Sequence, residues 1–144
     1  LTLRTCSPTI RSITVAELTD FIATPSNWPD IVLSSVAVSG VPGGLRLTEG
    51  ESVNEIFGLP PILPLSVRWS CVKSDSESGT LDFYAPDGLE GVARDCRMLF
   101  NIAEVEGGAN VALEMSFEPQ SVLARLALPI LTIDNWLALN VLLP

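Results

Sequence analysis

The sequence predicts an α+β domain, a curved antiparallel β-sheet wrapped around a long C-terminal helix, with two short helices after the first strand. Three observations carry this. Val111, Leu113, Met115 and Phe117 alternate with Ala112, Glu114, Ser116 and Glu118, the period of a strand with one buried and one wet face. Thr14 followed three residues later by Glu17 is a helix-start signature, and Pro25 and Pro29 close that helical stretch. From residue 120 onward the apolar residues recur at helical spacing. A chain of 144 residues fits one domain spanning 1–144.

Taken in order, residues 4–13 alternate loosely and predict the first strand. Thr14 caps a helix whose Leu18, Phe21 and Ile22 share one face, and a second short helix is expected around 29–34. Val36 to Val38 lead into a strand, and Val41-Pro42-Gly43-Gly44 is a turn by composition. A strand follows near Val53 to Phe57, then a proline-rich loop from Gly58 to Pro64. Ser66–Lys73 and Thr80–Tyr84 flank the polar stretch Ser74 to Gly79, a hairpin pattern, and residues 92–105 pair with 110–118 through Glu106-Gly107-Gly108-Ala109. The last segment places Val122, Leu123, Leu126, Ile130, Leu131, Ile133, Leu137 and Val141 in a helix that Pro129 kinks. Arg125, Asp134, Asn135 and Asn140 interrupt it, which favours a helix buried against a sheet over a transmembrane span.

Composition narrows the function. Apolar residues make up 47% and charged residues 17%, so the chain has ample core material and apolar surface for a ligand, membrane or partner. A net charge of −9, with Lys73 the one lysine, disfavours nucleic acid and anionic head groups. Histidine is absent, which removes Ser-His or Cys-His nucleophile activation and imidazole metal ligands. Cys6, Cys71 and Cys96 form no CxxC spacing, so they predict reduced thiols in an intracellular or organellar compartment and no metal site. No Asn-x-Ser/Thr acceptor occurs. The first residue is Leu1, which leaves room for a removed targeting peptide, a chloroplast one included. Gly40, Gly43 and Gly44 make neither a GxGxxG nor a P-loop, and no cofactor is expected.

The order strand, helix pair, antiparallel strands, long apolar helix resembles the START-like (SRPBCC, helix-grip) superfamily, which includes polyketide cyclase/dehydrase-like proteins. Val15-Ala16-Glu17-Leu18-Thr19-Asp20-Phe21-Ile22 followed by Pro25-Ser26-Asn27-Trp28-Pro29 is similar to that family's first helix and the loop after it. The resemblance implies a deep apolar cavity between sheet and final helix. Its walls would include Val111, Leu113, Met115 and Phe117, with Met98 and Phe100 on the neighbouring arm. Trp69 and Phe83 would join from the first hairpin, and Leu126 and Ile130 from the helix. The same residues would serve equally as a filled core.

Chemistry is sparse. Arg94 and Cys96 alternate with Met98 and Phe100, so Arg94 either holds a ligand head group at the cavity mouth or pairs with an acid across the sheet. Asp95 and Arg97 share the opposite face. Asp134, Asn135 and Trp136 sit mid-helix, where they either meet a ligand or form a partly exposed face, and Tyr84 is the one phenol. No catalytic set emerges. Three functions are open: binding an apolar small molecule (lipid, quinone, isoprenoid or pigment); a non-enzymatic accessory subunit of a larger assembly, photosynthetic or otherwise membrane-bound and organellar; and a polyketide cyclase or dehydratase. The C-terminal apolar helix is the expected surface for a protein partner or peripheral membrane contact.

Overall fold

The computed structural model describes residues 1–32, 34–41, 43–58, 65–89, 91–126 and 128–143, without the Leu123 side chain. Strand β1 (Thr2–Cys6) and the short β2 (Ile10–Arg11) replace the single expected first strand. Pro8, which brings no amide hydrogen to a ladder, lies between them. Helix α1 (Val15–Ile22) begins as predicted, with Thr14 Oγ1 accepting from the Glu17 amide at 3.1 Å. Its buried face is Leu18 and Thr19 with Ile22, four and three residues on, whereas Phe21 is 39% exposed. Phe21 therefore departs from the face assigned to it and lies at the exposed edge of that face.

Pro25–Asn27 forms a single tight turn and α2 (Trp28–Ile31) follows, shorter and slightly earlier than expected. Pro29 starts this helix rather than ending the first, at a position where a missing amide costs nothing. The α1 carbonyls left open at its end are filled by two side chains. Asn27 Nδ2 donates to Phe21 O at 2.9 Å and Trp28 Nε1 to Ile22 O at 2.8 Å.

Strands β3 (Ser35–Ser39), β4 (Ser52–Phe57), β5 (Leu65–Asp75), β6 (Thr80–Ala85), β7 (Ala93–Val105) and β8 (Gly108–Pro119) complete an antiparallel sheet of order β1-β8-β7-β6-β5-β4-β3, with β2 also on β8. Both predicted hairpins form, with Cys71 opposite Phe83 and Met98 opposite Met115. Bulges interrupt β3, β5 and β7 and curve the sheet. The proline-rich stretch from residue 59 to 64 lies outside the described residues, as does Pro42 of the predicted turn.

The final segment is built as α3 (Val122–Leu126), α4 (Leu128–Leu137) and wider π-helical turns over Ala138–Leu142, closed by Leu143 N–H to Ala138 O at 2.9 Å. Among the described residues no helix is long and apolar enough to cross a membrane. Cys6, Cys71 and Cys96 are all free thiols.

The two ends of the sheet are filled differently. Val15 of α1 packs beside Gly79 and the Ile102 carbonyl, and Ile102 pairs with Val111, so that end is dense. Gly79 has φ +71°, and a methyl there would overlap the Ile102 oxygen and meet Val15 Cγ1 at 2.9 Å. Gly79→Ala should therefore lower stability by about 3 kcal/mol in urea denaturation, through strain plus displaced packing. Gly50 has φ +85° and open space around it, so Gly50→Ala should cost only about 1 kcal/mol. Equal losses at both sites would show that the tight approach of α1 to the sheet is not what Gly79 preserves.

Candidate functional site

Past the dense end, the inward face of the sheet and the C-terminal helix enclose a cavity. Val67 and Trp69 of β5, Cys96, Met98 and Phe100 of β7, and Leu113, Met115 and Phe117 of β8 make its sheet wall. Ala124 of α3, Leu131 of α4, Ala138 and Leu139 face them from the helix, and Ile22, Trp28 and Ile31 cover a side. The centre of a water-sized sphere can move through about 120 Å³ of this space. One water needs roughly 10–15 Å³ by that measure, so the cavity has room for about ten, which suits a compact organic molecule.

Of the residues assigned to a cavity wall from sequence, Trp69, Met98, Phe100, Leu113, Met115 and Phe117 line it. Phe83 and Val111 do not. Phe83 is fully buried behind Trp28 and Phe100, which it meets edge-on at ring distances of 5.5 and 6.2 Å. Val111, 1% exposed, belongs to the dense core two residues nearer the α1 end than Leu113. Leu126 is 69% exposed on the outer side of α3, and Ile130, half-buried, lies outside the lining set. The helix is apolar on nearly every side, so its large residues do not reveal which side faces inward. The inward side carries Ala124, Leu131, Asp134, Asn135 and Ala138 instead.

Arg94 is not a cavity residue either. The β7 bulge between Arg94 and Arg97, with Asp95 at φ +49°, inserts an extra residue into the alternation. Ala93 and Cys96 both point inward while Arg94 and Asp95 both point out. Arg94 Nε lies 3.4 Å from Glu118 Oε2 on the neighbouring strand and 3.9 Å from Asp95, the cross-sheet pairing. Tyr84 also belongs to the outer face, its hydroxyl donating to Asp95 Oδ1 at 2.8 Å, and that bond raises the phenol's pKa. Arg97 forks onto Asp82 rather than Asp95.

Polar chemistry inside the cavity is concentrated on two carboxyl groups. Glu55 of β4 is 6% exposed and lines the cavity, with Trp69 Nε1 donating to its Oε1 at 3.1 Å. Asp134 of α4 is 4% exposed and also lines it, accepting from the Ser34 hydroxyl and, at 3.3 Å, from the Ser34 amide. Asn135, 5% exposed, completes this end, and Trp136 beside it turns outward at 53% exposure. Burial pushes the Glu55 pKa up, the Ser35 and Trp69 donors pull it down, and the Asp134 charge adds to the rise. Cys96, also on the wall, is pushed up to about 11 mainly by burial, as is Cys71 in the core. Both thiols stay protonated, and so poor nucleophiles, at neutral pH. Among the described residues, no three potential metal-ligating acids or thiols come together.

Glu55 was absent from the sequence reading, yet its signal was present: Val53, Glu55 and Phe57 alternate, which places an acid on the apolar face of a strand. Ser34 carried no signal, since its role follows from a contact one hundred residues away in sequence.

Similar solved structures share the helix-grip fold, a curved antiparallel sheet around a C-terminal helix. The protein TTHA0849 of Thermus thermophilus superposes with a TM-score of 0.73 at 10% identity, over 96% of this chain and 90% of its own. Major latex-like protein 151 of Panax ginseng gives 0.66 at 14% identity, over 96% and 92%. Norcoclaurine synthase of Thalictrum flavum, solved with dopamine and hydroxybenzaldehyde, gives 0.59 at 8% identity, over 96% and 85%. No family model matches the sequence, and no curated protein matches it.

Because the Glu55 pKa is raised on folding, its contribution to stability is complete below its ordinary value of 4.5 and is lost as pH climbs through the folded value. Glu55→Gln keeps an acceptor for Trp69 and removes the buried charge. The variant should be more stable than wild type by about 1–2 kcal/mol at pH 8, with the gap closing towards pH 5, in parallel urea titrations. A gap independent of pH would mean that folding does not shift the Glu55 carboxyl from its ordinary range.

Proposed function

We propose that this protein binds a small, largely apolar molecule in the cavity between the sheet and the C-terminal helix. The observation that carries the reading is the cavity itself. Interiors normally close to crystal-like density, yet here small residues of the helix, Ala124 and Ala138, stand opposite Met98, Leu113 and Met115 with open space between. Its volume suits a single-chain or one- to two-ring compound better than a two-chain lipid. The norcoclaurine synthase structure, of the same fold, contains two small molecules, which supports a small-molecule role. Catalysis is not required by anything in the cavity: its thiol is protonated and, among the described residues, no basic side chain lines it.

Trp28 and Trp69 line the cavity, so an occupant should alter their fluorescence. Titration with 1-decanol should produce a saturable change in wild type. Ala124→Leu and Ala138→Leu, which extend side chains into the space, should weaken binding about tenfold while keeping native circular dichroism. Binding unchanged in both folded variants would place the ligand elsewhere.

A second reading rests on a separate observation. Val122, Leu126, Ile133, Trp136 and Val141 are 53–72% exposed along the outer side of the C-terminal segment. We propose this stripe as a contact for a partner protein or a membrane surface. Leu126→Glu with Ile133→Glu should abolish co-sedimentation with neutral phosphatidylcholine vesicles, or self-association in sedimentation velocity, without loss of fold. If wild type is monomeric at all concentrations and stays off the vesicles, the stripe has neither of those roles.

A further inference from the structure

Resting on the cavity reading above, we infer that the ligand is an amphiphile with a hydrogen-bond-donating, preferably cationic amine, head group, held at the closed polar end formed by Glu55, Asp134 and Asn135. Two features point there. Glu55 of β4 and Asp134 of α4 both line one apolar chamber, both are buried from solvent, and the Asp134 charge is close enough to act on Glu55. Two acids brought together from distant parts of the chain face this interior, and no lysine or arginine is among its described lining residues. Such an arrangement repels a carboxylate or phosphate and favours a group that brings protons or positive charge.

The second feature is independent of the acids. Asn135 is nine-tenths buried and lines the cavity, yet among the described residues the only side-chain hydrogen bond of its amide is a 3.8 Å contact to Met115 Sδ, a weak acceptor. A buried primary amide left with a thioether has donor and acceptor capacity that an occupant's head group can use. By contrast, Ser34 and Trp69 are committed, to Asp134 and Glu55 respectively. Polar capacity at Asn135 thus exceeds what the described residues satisfy, at a position that lines an otherwise apolar space.

The titratable groups among the described residues that line the cavity are Glu55 from β4, Asp134 from α4 and the Cys96 thiol from β7; Ser34 and Trp69, which also line it, do not titrate here. An ammonium group beside Glu55 stabilises the carboxylate, so binding below the folded pKa of Glu55 must release its proton. Affinity for an amine therefore rises with pH, whereas that for an alcohol does not.

The test compares decylamine, 1-decanol and decanoate, which share one chain, by tryptophan fluorescence at concentrations below micelle formation. At pH 8 decylamine should bind about tenfold or more tightly than 1-decanol, with decanoate weakest. The amine preference should fall to within about threefold in Glu55→Gln, and in wild type it should shrink as pH is lowered to 5.5. Asp134→Asn provides a second variant should Glu55→Gln not fold, and the wild-type pH series needs neither. Decanoate binding as tightly as decylamine, or an amine preference indifferent both to Glu55→Gln and to pH, overturns the inference while leaving the cavity reading intact. Failure of all three probes to bind overturns the cavity reading itself.

Discussion

One sheet of eight strands has a single inward face, and one long helical segment with two short helices must cover all of it. That shortage of covering material shapes the rest of the molecule. Where α1 reaches the sheet the packing is dense: the turn residue Gly79 is pressed between the Ile102 carbonyl and Val15 of α1, and Leu18, Leu81 and Val111 are 0–1% exposed. Away from α1, the cover is the C-terminal segment, and its inward residues are mostly small or polar. The sheet is curved by its bulges, and the short side chains of Ala124 and Ala138 leave space beneath it. A cavity at that end follows from backbone geometry and residue size together.

The β7 bulge shows how the same constraint separates two chemistries on one strand. Without it, strict alternation from Phe100 through Met98 and Cys96 would carry Arg94 into the apolar space. With one residue inserted, Ala93 takes the inward position and Arg94 turns out to Glu118. Arg97 pairs with Asp82 and Arg4 of β1 with Glu114, and no basic side chain is among the described lining residues of the cavity. The electrostatic asymmetry of the interior is a product of register as much as of composition.

Alternation made the facing of Val111 to Phe117 legible, the polar turn from Ser74 to Gly79 marked the hairpin of Ser66–Lys73 with Thr80–Tyr84, and Thr14 with Glu17 marked the start of α1. The C-terminal helix was legible as a helix but not in its rotation. Leu126 and Ile133 are as apolar as Leu131, yet they lie outside, and the inward side is marked by Asp134 and Asn135, which a hydrophobic criterion would send to solvent. Arg94 was misplaced for a related reason: a bulge has no compositional signature here, since Asp95 rather than glycine adopts the positive φ. Glu55 could have been found, because an acid between Val53 and Phe57 breaks an apolar face. Asp134 stood out as a polar residue mid-helix, but its closeness to Glu55 was not legible, because only the folded chain brings β4 and α4 together.

Empty space and buried charge both oppose stability, and here they occur in the same place. A cavity of this size forgoes packing of the order of a few kcal/mol, and filling it would need no more than larger side chains at Ala124 or Ala138. The buried Glu55 carboxyl costs more again as it ionises, and an amide or a second apolar residue at position 55 would avoid that cost. Neither feature improves the fold, since α1 and the dense end of the sheet are packed without them. An occupant that fills the chamber and brings donors to its polar end would offset both at once. The coincidence of void and buried acid is therefore better explained by a ligand with two unlike ends than by two unrelated imperfections of packing.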